Sequence, residues 1–111
     1  MSEREEGVIE FIRCQAPFYA KAKAERVFLD EFRKSKKAML IQEAPESCTT
    51  AQSRDAYAYS HQDYIAVLRG LRVAVEQEET LRYQIKAAEL KFEQWRTQAA
   101  NNRAERQRYG A

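Results

Sequence analysis

The side chains with the clearest chemistry are the basic residues near the C-terminus, within LRYQIKAAELKFEQWRTQAANNRAERQRYG, residues 81–110. Arginine binds phosphate through a planar fork of donors that stays charged, and lysine through a point charge. Residues 82–111 hold seven basic and three acidic side chains, although the whole chain has a net charge of only +2. The residues predicted to contact nucleic acid are Lys91, Arg96, Arg103, Arg106 and Arg108.

A solvated helix face is the competing interpretation of the same segment. Mixed charge along a helix is typical of such a face, and the acidic residues here are Glu89, Glu93 and Glu105. Trp95 and Tyr109 would stack on bases if exposed, but Trp95 would instead anchor a helix interface if covered. Residues 103–111 are alternatively a frayed terminus.

Residue types for catalysis or metal binding are scarce in this chain. It has one histidine, His61, and two cysteines, Cys14 and Cys48, which do not have the spacing of an ordinary zinc site. A phosphate-binding glycine loop is also missing from the sequence. We therefore expect a protein that is not an enzyme and has no metal centre and no cofactor.

Two features of the sequence bear on location. The two cysteines do not form a disulfide framework, which favours a reducing compartment. The N-terminal SEREEGVIEFIRC is acidic and lacks a long apolar run, so it resembles neither a signal peptide nor a membrane span. We expect a cytoplasmic protein that does not contact membranes.

Long helices must position these residues, because the chain has only three glycines and two prolines. Ser2 and Glu5 have the spacing of a capping box, and apolar residues follow at helical spacing. The sequence predicts a first helix over about residues 2–42, kinked or interrupted at Pro17, and then a loop over residues 43–50.

A second helix is predicted after that loop. Thr49 with Gln52 forms another capping-box pattern, and no proline follows. We expect one helix over about residues 50–108; the alternative is a break near residue 60 or residue 77. The whole chain is then a single helical domain.

The second helix carries a heptad pattern. With Tyr64 at position a, ten of the twelve a and d positions from residue 64 to residue 102 are apolar, and Glu78 and Asn102 are the exceptions. A 3.5-residue period indicates a helix that packs lengthwise against others, and we call this row the seam. The residues predicted to form an oligomer or partner interface are Tyr64, Leu71, Leu81, Ile85, Phe92 and Trp95.

Helix lengths give the predicted fold, an all-α antiparallel hairpin resembling a coiled coil. At ~1.5 Å per residue, the first helix would reach ~60 Å and the second ~80 Å. Residues from about 93 onward, including Trp95, would then lack an intramolecular partner, which predicts self-association as a dimer or higher oligomer. The alternative is a three-helix bundle, in which a third helix folds back and covers Trp95.

Tyrosines are concentrated in AYAYSHQDY, residues 56–64. Tyr57, His61 and Tyr64 share a helical face, which packing against the first helix would explain. Tyr59 points elsewhere, and we expect it to be free for a partner.

Four short motifs punctuate residues 68–105: ETLR at 79–82, AAE at 87–89, WRT at 95–97 and NNRA at 101–104. This pattern resembles the C-terminal part of small uncharacterised helical proteins encoded by phages and prophages of proteobacteria. The resemblance implies a phage origin and a bacterial cytoplasm. Such proteins are often encoded near replication and recombination functions, so it also implies a partner-recruiting or DNA-linked role, without assigning site residues.

Two functions follow from these patterns. The first is a small accessory or adaptor protein that self-associates, or binds a protein partner, through the seam. The alternative is a nucleic-acid-binding accessory factor of phage replication or recombination that uses the basic C-terminal helix.

Overall fold

The computed structural model describes residues 2–110, and these form three α-helices. They are α1 (Glu3–Glu43), α2 (Ala51–Ser60) and α3 (Gln62–Arg108). Contacts between α1 and α3 pair early residues of one helix with late residues of the other: Arg4 with Trp95, Arg26 with Glu78, and Lys36 with Asp63. The two long helices are therefore antiparallel, and the predicted all-α helical hairpin is confirmed.

The first helix begins where the sequence predicts. The backbone N–H of Glu5 donates to Ser2 Oγ at 3.2 Å, which satisfies one of the free donors of the first turn. Pro17 does not end the helix, because α1 continues through it to Glu43.

The cap of the second helix lies one residue later than predicted. Thr50, not Thr49, accepts from the backbone of Ser53 at 3.0 Å, and Ser53 Oγ accepts from the backbone of Thr50 at 3.1 Å. Thr49 and Thr50 can both cap a helix. Which of them does so depends on the residue three positions after the threonine. Serine at that position completes the reciprocal pair here, whereas Gln52 does not.

The expected unbroken helix over residues 50–108 is wrong, because the chain leaves helical geometry at His61. The backbone of His61 is extended, with φ −70° and ψ 140°. His61 Nδ1 accepts from the backbone N–H of Asp63 at 3.0 Å, so the imidazole caps the start of α3. The break therefore lies near residue 60, and α3 continues unbroken past residue 77.

The chain divides into two compact units, one formed by the residues up to Tyr19 and from Thr80 onward, and one by residues 20–79. In the second unit, Leu40, Ala58 and Tyr64 form a buried cluster against which Ile41 packs. The other buried residues of the described chain also belong to residues 20–79: Ala22, Ala74 and Glu78. The first unit has half-buried side chains but no buried one among its described residues.

Burial along both long helices follows the heptad period. On α3, the predicted a and d positions from Tyr64 to Trp95 are all buried or half-buried, whereas Ala99 and Asn102 are exposed. On α1 a matching row is covered, and we call it the packed row: Glu5, Val8, Ile12, Gln15, Tyr19, Ala22, Arg26, Leu29, Arg33, Lys36 and Leu40. The seam of α3 is therefore largely covered within one chain.

Candidate functional site

The six residues predicted as an oligomer interface lie on the covered side of α3. Tyr64 is buried, and the other five, Leu71, Leu81, Ile85, Phe92 and Trp95, are half-buried. Tyr64 packs with Leu40 of α1 and Ala58 of α2. Much of the surface of these six residues is therefore already covered inside the molecule.

We expected Trp95 to lie in an overhang, from about residue 93, without an intramolecular partner, and this expectation is wrong. The guanidinium carbon of Arg4 lies 4.2 Å from the centroid of its indole ring, and Lys91 Nζ lies 5.4 Å from it. Cations over an aromatic face are attracted by the negative charge of that face. Because α2 forms a separate helix, α3 has 47 residues and α1 has 41, so the excess length is smaller than predicted. No third helix folds back over Trp95 within residues 2–110.

The exposed end of α3 begins at Arg96. Every side chain from Arg96 to Gly110 is exposed. Arg96 and Arg103 lie two turns apart and line one shallow surface groove, together with Glu93. Arg106 and Tyr109 line another. The helix extends to Arg108, so residues 103–108 are helical; residue 111 lies outside the described residues.

The five residues predicted to contact nucleic acid therefore have different surroundings. Lys91 lies against Trp95, and the guanidinium carbon of Arg96 lies 5.9 Å from the ring centroid of Phe92. The other three, Arg103, Arg106 and Arg108, are fully on the exposed helix end. The structure brings Arg96 and Arg103 to one face and places Arg106 on a neighbouring one.

Glu78, the polar residue of the seam, is buried and paired. Arg26 Nε donates to its Oε2 at 2.5 Å and Arg26 Nη2 donates to its Oε1 at 3.0 Å. A bidentate pair satisfies both carboxylate oxygens and fixes the plane of the guanidinium. Glu78 and Arg26 thus form a structural ion pair between α3 and α1.

Tyr59 is not free, which corrects our expectation. Lys37 Nζ donates to its hydroxyl at 2.7 Å, and its ring meets that of Tyr64 edge-on at 5.4 Å between centroids. The hydrogen bond from Lys37 to Tyr59 is the main cause that raises the pKa of Lys37 above its ordinary value. Tyr57 meets His61 edge-on, with 5.5 Å between ring centroids.

The two cysteines are free thiols. Cys14 Sγ donates to Glu10 Oε1 at 3.4 Å, and this bond raises the pKa of the thiol above its ordinary value. A raised pKa keeps the thiol protonated, which is the less nucleophilic form. Residues 2–110 contain no group of three His, Cys, Asp or Glu side chains placed to hold a metal ion.

Large apolar side chains on the outside of α1 are the feature that the heptad analysis missed. Phe18 is 62% exposed and Phe28 is 59% exposed. Phe28 stacks on Phe32 with 5.6 Å between ring centroids, and Met39 is also exposed. The signal in the sequence is a set of adjacent apolar pairs, such as Phe18-Tyr19 and Phe28-Leu29, which cannot both face the same helix.

The chain matches no protein-family model, and neither the curated proteins nor the solved structures include one that is similar to it. Within residues 2–110, none of the helices has the length and apolar character needed to cross a membrane.

Proposed function

We propose that this chain is a small accessory or adaptor protein, without enzymatic activity, that self-associates or binds a protein partner through its helices. The observation that carries the proposal is the exposure of Phe18 and Phe28 on α1. Apolar side chains that recur along one helix and remain in water are characteristic of surfaces that another protein covers. The seam of α3 already packs on α1, so the assembly surface is assigned to the outer side of α1.

The setting of this function follows from the sequence. The motifs within residues 68–105 resemble those of phage and prophage proteins, which supports an accessory role in phage-infected or lysogenic bacteria. A cytoplasmic location in that host agrees with the free thiols of Cys14 and Cys48.

The mass of the protein in solution, followed by light scattering over a concentration series, tests self-association. We expect a mass above that of one chain, and Phe28→Ser should lower it because Phe28 supplies apolar area to the interface. Leu90→Ser is the matched control, since Leu90 is a similarly exposed apolar residue, 57% exposed, on α3. A strict monomer up to high micromolar concentration would contradict self-association.

A second candidate function is binding of nucleic acid by the exposed end of α3. The supporting observation is that Arg96, Arg103, Arg106 and Arg108 all lie in a helical segment in which every residue is exposed. Arginines on an open helix can reach phosphates without first breaking intramolecular contacts.

Binding to labelled single-stranded and duplex DNA across a salt series tests this second candidate. Each phosphate neutralised on duplex DNA contributes about 0.9 to the slope of log affinity against log salt. Replacing Arg96, Arg103 and Arg106 with glutamine should flatten that slope and weaken binding. The control is Arg69→Gln with Arg72→Gln, which removes exposed arginines from another part of α3. Equal loss in both variants would show only a general charge effect.

A further inference from the structure

A second row of residues runs along α1, and each member directly precedes a residue of the packed row. We call it the outer row: Phe11, Cys14, Phe18, Lys21, Glu25, Phe28, Phe32, Ser35 and Met39. It keeps the alternating three- and four-residue spacing of a heptad seam. One residue along a helix is a rotation of about 100°, so the outer row lies on the flank of α1, more than a quarter of a turn from the packed row. All of its members except Phe32, which is half-buried, are exposed.

The two charged members lie at the centre of the outer row. Lys21 and Glu25 are both exposed, and neither forms an ion pair with another described residue. Aromatic residues flank this centre on both sides, Phe18 before it and Phe28 after it. The outer row is therefore apolar at both ends and carries one positive and one negative charge in the middle.

We infer that the outer row binds the outer row of a second copy of this chain, with the two α1 helices antiparallel. A two-fold axis beside the centre of the row places Lys21 against Glu25 of the partner subunit, and by symmetry this ion pair forms twice. The same alignment brings Phe18 against Phe28 of the partner subunit and Cys14 against Phe32 of the partner subunit. The inference rests on the proposed self-association and names its surface and occupant.

Other alignments fail on charge. A parallel pair with the same residues opposite each other would set Lys21 against the partner's Lys21 and Glu25 against the partner's Glu25. An antiparallel pair shifted by one heptad would also fail. In one direction, the shift would set Lys21 against Phe32 of the partner subunit and Glu25 against Phe28 of the partner subunit. Buried charges without a partner and like charges face to face are both strongly unfavourable. Only the centred antiparallel alignment pairs both charges.

Charge reversal with complementation tests the pairing. Lys21→Glu alone places two carboxylates against each other twice, and Glu25→Lys alone does the same with two ammonium groups. We expect each variant to dissociate with a Kd raised by more than about tenfold, as like charges at an interface are repulsive. Mixing the two variants should restore association, because in the heterodimer position 21 of each chain again faces the opposite charge at position 25 of the other. The double variant, Lys21→Glu with Glu25→Lys, should restore association between identical chains for the same reason.

Lys23→Glu is the control, because Lys23 is exposed on the same helix but outside the outer row. It changes the net charge by the same amount as Lys21→Glu and should leave association unchanged. Helical content by circular dichroism should be the same in all variants, as Lys21 and Glu25 are exposed. Sedimentation velocity over a concentration series gives the Kd of each.

The outcomes separate the two proposals. Loss in both single variants with recovery in the mixture supports the centred antiparallel pairing. A wild-type dimer that is indifferent to both reversals would overturn this pairing while leaving self-association through another surface intact. A wild-type monomer at all concentrations would overturn self-association and this pairing together.

Discussion

In the unit of residues 20–79, Leu40 and Ala58 have no exposed surface, and the buried residues of the described chain all lie in this unit. In the unit formed by the residues up to Tyr19 and from Thr80 onward, the best-covered side chains, such as Trp95, are only half-buried. Buried apolar area is the main favourable term in folding, so the free energy of unfolding is expected to depend mostly on the unit of residues 20–79. The basic end of α3 lies in the unit formed by the residues up to Tyr19 and from Thr80 onward, where no described residue is buried.

The largest expected effect comes from a cavity in the better-packed unit, residues 20–79. Leu40→Ala removes a side chain with no exposed surface, and we expect it to lower the free energy of unfolding by about 2–5 kcal/mol. Urea denaturation followed by circular dichroism measures the change. Leu90→Ala is the matched control, because Leu90 is 57% exposed and should cost less than about 1 kcal/mol. Equal costs would contradict the difference between the units.

The ion pair in the same unit gives the next largest effect. Arg26→Met leaves Glu78 buried without its two bonds to Arg26, and we expect a loss of about 2–3 kcal/mol, reduced from the fully buried case because the Arg26 side chain is 31% exposed. Arg26→Met with Glu78→Leu should recover most of that loss, because both charges are gone. Arg13→Met removes an exposed pair with Glu10 and should change the free energy of unfolding very little.

Trp95→Ala probes the more open unit. Trp95 is half-buried beneath Arg4, so its loss should cost about 1–2 kcal/mol, less than Leu40→Ala. Hydrogen exchange should become faster in the neighbouring turns of α3 and remain unchanged around Leu40. Tyr109→Ala, at a residue 77% exposed, should alter neither quantity. Faster exchange throughout the chain would indicate that the two units open together.

The smallest expected effect comes from acid. The hydrogen bond from Arg33 is the main cause that lowers the pKa of Asp30 below its ordinary value of 3.8. A carboxyl with a lowered pKa stabilises the fold at pH above its ordinary value, and this contribution is lost as the pH falls through the lowered value. Wild type should therefore be slightly more stable than Asp30→Asn at neutral pH, and the difference should shrink below pH 3.8. Denaturation at the two pH values measures it; a constant difference would exclude this linkage.

The sequence predicted the long helices and the seam because helical periodicity is a local property. The spacing of Tyr64, Leu71 and Ala74 fixes which side of α3 is covered, whichever helix covers it. The break at His61 was harder to predict, because no proline or glycine marks it. At this break a side chain caps the start of α3: His61 Nδ1 accepts from the backbone N–H of Asp63.

The partners across the hairpin could not be predicted from spacing. Arg4 lies far from Trp95 in sequence, and Arg26 lies 52 residues from Glu78, so these contacts depend on how α1 and α3 are aligned. The outer row was also missed. Three apolar pairs on α1, Phe11-Ile12, Phe18-Tyr19 and Phe28-Leu29, each have one member in the packed row and one in the outer row, because neighbouring residues of a helix lie about 100° apart.

The buried bond between Arg26 and Glu78 has a consequence for how the chain finds its native state. Heptad seams are repetitive, so an antiparallel hairpin can form with one helix displaced by seven residues and still bury apolar surface. Such a displacement would bring Leu71 or Ile85 opposite Arg26 and move Glu78 away from its guanidinium. Misaligned hairpins would thus retain a desolvated charge that the native one neutralises. We expect refolding of Arg26→Met with Glu78→Leu to populate displaced hairpins as slow-folding traps, even where its equilibrium stability is close to that of wild type.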